Sequence, residues 1–242
     1  MEVQGNLHGA ATAPRFDIYA RIHKALRAFM ADTLLRVGRA DTDDDTELRA
    51  TLDQLRELLS ACEHHLHTED RFVHPAMEAG MPGSARRVEH EHAEHVTHIA
   101  ALGAMADILQ ALPHAARAAY ARDLYRKLSL FVAENFVHMN VEETEHNAVL
   151  WAACDDAGLA GVENRIVASL PPETIGMMAR WMLPNVTPAE RALMLSGMRD
   201  HAPEAFAGML EMCRAVLPVP EWMKLARALG LPAGPGLASV AA

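Results

Sequence analysis

Residues 124–149 read LYRKLSLFVAENFVHMNVEETEHNAV. Within them Leu124, Leu128, Phe131, Asn135, His138, Glu142, Glu145 and Val149 recur at alternating spacings of four and three. That spacing marks one face of a long helix packed against others. Such a face should be apolar throughout, yet it carries histidine and glutamate in line with its leucines. Three further stretches repeat the pattern. The first gives Phe16, Tyr19, His23, Leu26, Met30, Thr33 and Val37, and the second Leu55, Leu58, Cys62, His65, Glu69 and Phe72. The third gives Val88, His92, His95, Ile99, Leu102, Ala106 and Leu109. Four such faces can bury one another, which predicts an all-α, up-down-up-down four-helix bundle. Buried charge without a partner is costly, and what four converging helices can offer these groups is a metal.

Composition agrees. The chain has 242 residues, enough for one large domain or a domain with an extension, and aromatic residues make up only 5%. Ala, Leu and Met dominate and β-branched residues are sparse, which favours helix over sheet. A net charge of -10 argues against nucleic acid and anionic membrane surfaces as partners. No apolar run approaches the length that spans a bilayer. The opening MEVQGNLHGAATAP lacks the basic-then-apolar layout of a signal peptide. Cys62, Cys154 and Cys213 are odd in number and widely spaced, so no disulfide framework is expected and a cytoplasmic, reducing setting follows.

Residues 1–14 read as a disordered leader, 15–152 as the bundle, 153–230 as a small helical extension and 231–242 as a flexible tail. The first helix is expected from Arg15 to Val37, stopped by Gly38 in the left-handed conformation. The second should start near Thr46 behind an acidic loop and run to Pro75. Ser84 is the expected N-cap of the third, which continues to about Leu112. The fourth should run from Pro113 to about Cys154, overhanging the bundle or breaking near residues 115–120. The two halves form a weak repeat, in which His65-Leu-His-Thr-Glu69-Asp70 corresponds to His138-Met-Asn-Val-Glu142-Glu143. Beyond residue 155 prolines and methionines gather. Thr187-Pro188-Ala189-Glu190 is a capping box, Pro172, Pro203 and Pro220 open short helices, and Gly230 closes the last.

At about 100° per residue, positions four apart point the same way, one turn along. His65 and Glu69 therefore share a direction, as do His138 and Glu142, while His92 and His95 can converge. The candidate metal ligands are His23, His65, Glu69, His92, His95, His138 and Glu142. A single histidine on such a face is more often a packed core residue, and an isolated HxxxE pair a surface pair. Recurrence at one depth on four helices favours a metal. Imidazoles with carboxylates suit borderline metals such as iron rather than calcium or magnesium. Two octahedral ions offer about twelve positions, of which five imidazoles, two bridging carboxylates and a bridging oxygen fill all but one. Glu143 rivals Glu142 as the carboxylate after His138. His64, His67 and His90 fall off the face and read as solvated, and His98 flanks it. His74 follows His65 by nine residues, which turns it to the opposite side beside Pro75; His146 reads as a supporting partner at most. Cys62 reads as a small core residue, and the late methionines as packing.

Taken together, His23-Lys-Ala-Leu-Arg27, His65xxxGlu69 with Phe72-Val-His-Pro75, Glu91-His92-Ala-Glu-His95 and His138-Met-Asn-Val-Glu142-Glu143 resemble the hemerythrin-like proteins of the HHE cation-binding group. The resemblance covers about residues 15–152. It implies a non-haem di-iron centre in a four-helix bundle, with His23, His65, His138 and the histidines of the third helix as terminal ligands and Glu69 and Glu142 bridging. Two departures stand out. Oxygen-carrying hemerythrins space the third-helix histidines by four, where His92 and His95 are three apart. They also place an aspartate five positions after the fourth-helix histidine, where Glu142 follows by four.

The expected function is binding of dioxygen, nitric oxide or peroxide at two iron ions, as carrier, scavenger or sensor, with the late helices relaying the signal or pairing two copies as a homodimer. The alternatives are a di-iron enzyme acting on peroxide or nitric oxide, or an iron-storage protein. Ferritin-like oxidases use four glutamates and two histidines, and a histidine-rich site poorer in negative charge favours reversible ligand chemistry. Nothing beside the seam reads as a pocket for a larger substrate.

Overall fold

The computed structural model describes residues 15–231; the expected leader, and the expected tail beyond Leu231, lie outside them. Every regular element among the described residues is helical. The elements are α1 (Ala20–Arg39), α2 (Asp45–Thr68), α3 (His74–Gly80), α4 (Arg86–Ala111), α5 (His114–Val141), α6 (Asn147–Ala153), α7 (Asp156–Ser169), α8 (Pro172–Asn185), α9 (Pro188–His201), α10 (Pro203–Val216) and α11 (Val219–Ala228). α1 packs on α2 and α5, and α4 packs on the same two, so these four long helices close a ring. Leu26, Phe29, Leu55, Leu58, Leu102, Leu128 and Phe131 fill its middle and are almost completely buried. Burying each such side chain contributes about 1.5–3 kcal/mol before the entropy of ordering is subtracted.

Local chemistry sets the ends of these helices. Asp17 accepts from the backbone N–H groups of Tyr19 and Ala20, so α1 starts later than its apolar spacing suggested. Asp44 caps α2 in the same way. Gly38 does not stop α1 but lies inside it. A Cβ there would come within 2.8 Å of Cε2 of Tyr125, so the glycine lets α5 approach closely rather than turning the chain. Ser84 does not cap α4, since Ala85 holds that position. α5 runs unbroken through residues 115–120.

One departure bears directly on function. α2 and α3 are joined without a loop by a π-helical turn over Glu69–Val73, and α5 and α6 by another over Glu142–His146. In each turn a backbone N–H reaches five residues back, from His74 to Glu69 and from Asn147 to Glu142. Each turn therefore absorbs one extra residue and rotates everything beyond it by about 100° relative to a continuous α-helix. Gly80 of α3 then lies so close to α6 that a Cβ there would collide with Ala153.

The late helices pack through α8 onto α1, where Trp181 stacks on Phe29 at 4.2 Å between ring centroids. Ala179, Leu183, Leu195, Cys213, Leu217, Leu225 and Leu229 form their own small core. The capping box of Thr187 and Glu190 starts α9, and Gly230 closes α11 with φ of 66°. Fully buried Arg191 donates to the carbonyls of Leu183 and Val186 at the end of α8.

Glu190 also accepts from Lys24 of α1 at 2.7 Å, tying α9 to the ring. Its burial would raise the carboxyl pKa, but the hydrogen bonds from Lys24 and Thr187 outweigh that and hold it at about 2. A depressed folded pKa contributes stability above the ordinary carboxylate value that disappears as pH falls through the depressed one. Glu190→Gln keeps the cap and loses the charge. It should cost about 1 kcal/mol at neutral pH after solvent screening, and nothing near pH 2. Urea unfolding at both pH values checks this, and an equal deficit at each would assign the loss to packing.

Candidate metal centre

The four ring helices each bring a histidine to one level, and α2 and α5 present theirs together with a glutamate one turn later. His23 comes from α1, His65 from α2, His92 from α4 and His138 from α5, while Glu69 and Glu142 open the two π-helical turns. Glu142 is fully buried and Glu69 nearly so. Their four oxygens are interleaved with the imidazoles. Oε1 of Glu69 lies 3.3 Å from Nε2 of His65, and its Oε2 lies 3.6 Å from Nε2 of His92. Oε2 of Glu142 lies 3.4 Å from Nε2 of His23, and its Oε1 lies 3.2 Å from Nε2 of His138. Each carboxylate thus turns its two oxygens to different histidines. Two groups of convergent donors result: His23, His65, Glu69 and Glu142, and His92, His138, Glu69 and Glu142, with ligand atoms within 4.8 Å of one another in each.

All four Nε2 atoms and all four carboxylate oxygens are buried without a hydrogen-bond partner among the described residues. Native interiors rarely leave one such atom unsatisfied, because each forfeits its hydration. Eight at one point fit a cationic guest. The opposite ring nitrogens are held in place. Nδ1 of His23 meets Glu143 at 3.0 Å, Nδ1 of His92 meets Asp70 at 2.8 Å, and Nδ1 of His138 meets Glu91 at 3.0 Å. A carboxylate accepting from Nδ1–H fixes the tautomer whose Nε2 lone pair faces the centre, as at metal-bound histidines generally.

Electrostatics point the same way. Burial pushes His65 down to about 3, so its ring is neutral, the form that binds metal. Glu143 is held at about 2, because hydrogen bonds from His23 and Arg27 outweigh its burial. Burial and the charge of Glu142 push Glu69 well above the usual carboxylate range. Glu142 moves the other way: its burial is opposed and overcome by the close imidazoles of His138 and His92. Without a cation the two carboxylates cannot both hold charge comfortably.

Of the seven expected ligands, six fall in these groups. His95 does not. It is buried edge-on to the His138 ring at 4.7 Å and against Phe131, about 4.5 Å along the α4 axis from His92. Glu143 faces away from the centre and holds His23 and Arg27, so the carboxylate that converges is Glu142. His98 pairs with Glu134 at the surface. His67 and His90 are exposed, and burial pushes the Cys62 thiol up to about 12, leaving it an inert core group.

His74 departs from expectation. It is buried with its ring 5.0 Å from that of His92, and Asp70 lies between them, 3.1 Å from Nδ1 of His74. The extra residue of the π-helical turn makes a nine-residue separation from His65 act as about eight, which returns His74 to the inner side. The second turn buries His146 likewise. One signal for the orienting acids was present: an acidic residue follows the glutamate in both halves of the repeat, Asp70 after Glu69 and Glu143 after Glu142.

The sequence read as having no pocket for a larger substrate, and the structure contains one. A cavity of about 250 Å³ separates α1 and α2 from the late helices and reaches His65, Glu69 and Tyr19 at the edge of the centre. Its far wall comes from α7 to α10, segments distant in the chain, so no local pattern announces it.

Among the described residues no helix is long and apolar enough to cross a membrane. The family model described as hemerythrin HHE cation binding domain matches residues 16–148. Comparison with curated proteins and with solved structures gives no match.

Proposed function

Since this chain belongs to the hemerythrin HHE cation-binding family, we propose that α1, α2, α4 and α5 form its up-down-up-down bundle and hold a non-haem di-iron centre that binds a small ligand as carrier, scavenger or sensor. One observation carries the reading: Glu69 and Glu142 belong to both groups of donors, Glu69 with one oxygen beside His65 and the other beside His92, and Glu142 with one beside His23 and the other beside His138. Carboxylates so placed would help to hold two ions rather than one. The donor set is four imidazoles and two carboxylates, which suits iron and disfavours the all-oxygen preference of calcium and magnesium. Two iron ions would supply reversible redox chemistry and open coordination positions for dioxygen, nitric oxide or peroxide.

The chain's own groups would prepare that site. Asp70, Glu91 and Glu143 orient His92, His138 and His23, so ligand geometry is set before a metal arrives. Tyr19 stacks on His23 at 5.1 Å and shields it from the apolar side. Eight donor atoms against about twelve octahedral positions leave room for more than one small ligand.

Anaerobic reconstitution with ferrous iron followed by elemental analysis tests the centre. About two ions per chain are expected, and fewer than one would overturn the reading. Admitting air to the reduced protein should change its near-ultraviolet absorption with no organic substrate added. Reversal on removing oxygen favours carriage or sensing. Irreversible oxidation with sustained consumption of peroxide or nitric oxide favours the enzymatic alternative.

A further inference from the structure

The cavity beside the centre is bounded by features that define an occupant. Its volume is about 250 Å³, and it lies between α1 and α2 on one side and α7 to α10 on the other. Close-packed interiors leave few spaces larger than a water molecule. An apolar cavity of about 150 Å³ stays dry and takes up benzene, so this one has room for roughly ten non-hydrogen atoms. Ile22 of α1, Ile166 of α7 and Met178, Met182, Met194 and Met198 of the late helices line it. Methionine side chains are flexible and polarisable, and they reshape around varied apolar guests more readily than branched ones.

Charge narrows the choice. Among the described residues neither lysine nor arginine lines the cavity, whereas Glu69 and Glu163 do. Glu163 is already held by Arg21 at 2.5 Å, and Glu69 belongs to the candidate centre. An anionic head would thus meet carboxylate and no lining lysine or arginine. The surface that faces the cavity is almost wholly apolar, so an occupant finds few polar partners there.

We infer that this cavity is a binding site for one uncharged, largely apolar organic molecule of about ten non-hydrogen atoms. The late helices supply most of the wall that makes a pocket of the outer surface of α1 and α2, which gives that part of the chain a function of its own. The inference rests on the cavity and its apolar lining, so it stands independently of which metal the centre holds.

Calorimetric titration of the full chain with n-decanol, and in parallel with decanoate, tests it in both metal-free and iron-loaded protein. One saturable decanol site per chain is expected in both forms, with decanoate at least tenfold weaker. Met194→Trp and Ile166→Trp fill the space from two different helices. Each should lower decanol affinity tenfold or more while helical circular dichroism and the melting temperature stay close to the parent's; the pair guards against one variant failing to fold. Absence of saturable decanol binding would overturn the inference, as would decanoate binding as tightly as decanol, or full affinity in both tryptophan variants. Failure of iron reconstitution would leave the decanol result unaffected, so the two readings fall separately.

Discussion

Glu142→Ala protein is expected to hold less than one iron per chain after anaerobic reconstitution that loads about two into the parent. Glu142 is the most deeply buried acid of the centre, and it belongs to both groups of donors, so its loss removes a donor from each at once. It also leaves Glu69 as the one carboxylate of both groups. Glu69→Ala should behave alike, and Glu142→Gln should lose iron nearly as completely, since the shape survives and the charge does not. Asp70→Ala touches only the hydrogen bond behind His92 and should weaken metal affinity by about 10- to 100-fold, the usual cost of losing an orienting partner. His95→Ala should keep both ions where His92→Ala does not. Exposed His67 and His90 serve as controls. Equal iron loss in His90→Ala and Glu142→Ala would place the site elsewhere.

Removing the metal should lower the melting temperature by about 10 °C. A ligand present at a thousand times its dissociation constant stabilises by about 4 kcal/mol, and for a chain of this size each kcal/mol moves the midpoint by about 2–4 °C. The metal-free fold also confines Glu69 and Glu142 together in a buried space. Because the Glu69 carboxyl titrates higher in the fold than in the unfolded chain, folding of the metal-free protein takes up a proton there. Its stability should therefore fall as pH rises from the ordinary carboxylate pKa through the raised one, and added metal should release protons. Melting curves of chelator-treated and iron-loaded protein between pH 5 and pH 8 check both points. Midpoints within about 2 °C at every pH would show that the centre contributes little to the fold.

Much of this centre is legible in the sequence alone. The four-and-three spacing marks helical faces whatever the final packing, because burying an apolar stripe is the main reason such a helix is stable. His65 with Glu69 and His138 with Glu142 stand one turn apart on those faces, so their shared direction follows from helix geometry alone. The capping box at Thr187 and Glu190 and the prolines that open α8 and α10 are equally local, and the structure keeps them.

What the spacing could not supply was everything that depends on backbone register or on distant partners. The π-helical turns at Glu69 and Glu142 bury His74 and His146, and a turn of that kind is chosen by how two helices pack rather than by its own five residues. Gly38 carries the composition of a helix stop, yet the ring of Tyr125, far along the chain, turns it into a point of close approach. His92 and His95 are indistinguishable as residues on one face; the level at which α2 and α5 present their glutamates decides that His92 meets them and His95 does not. The cavity belongs wholly to tertiary structure. Side-chain periodicity records which way a residue points from its own helix, whereas convergence and enclosed space are set by the distances between helices.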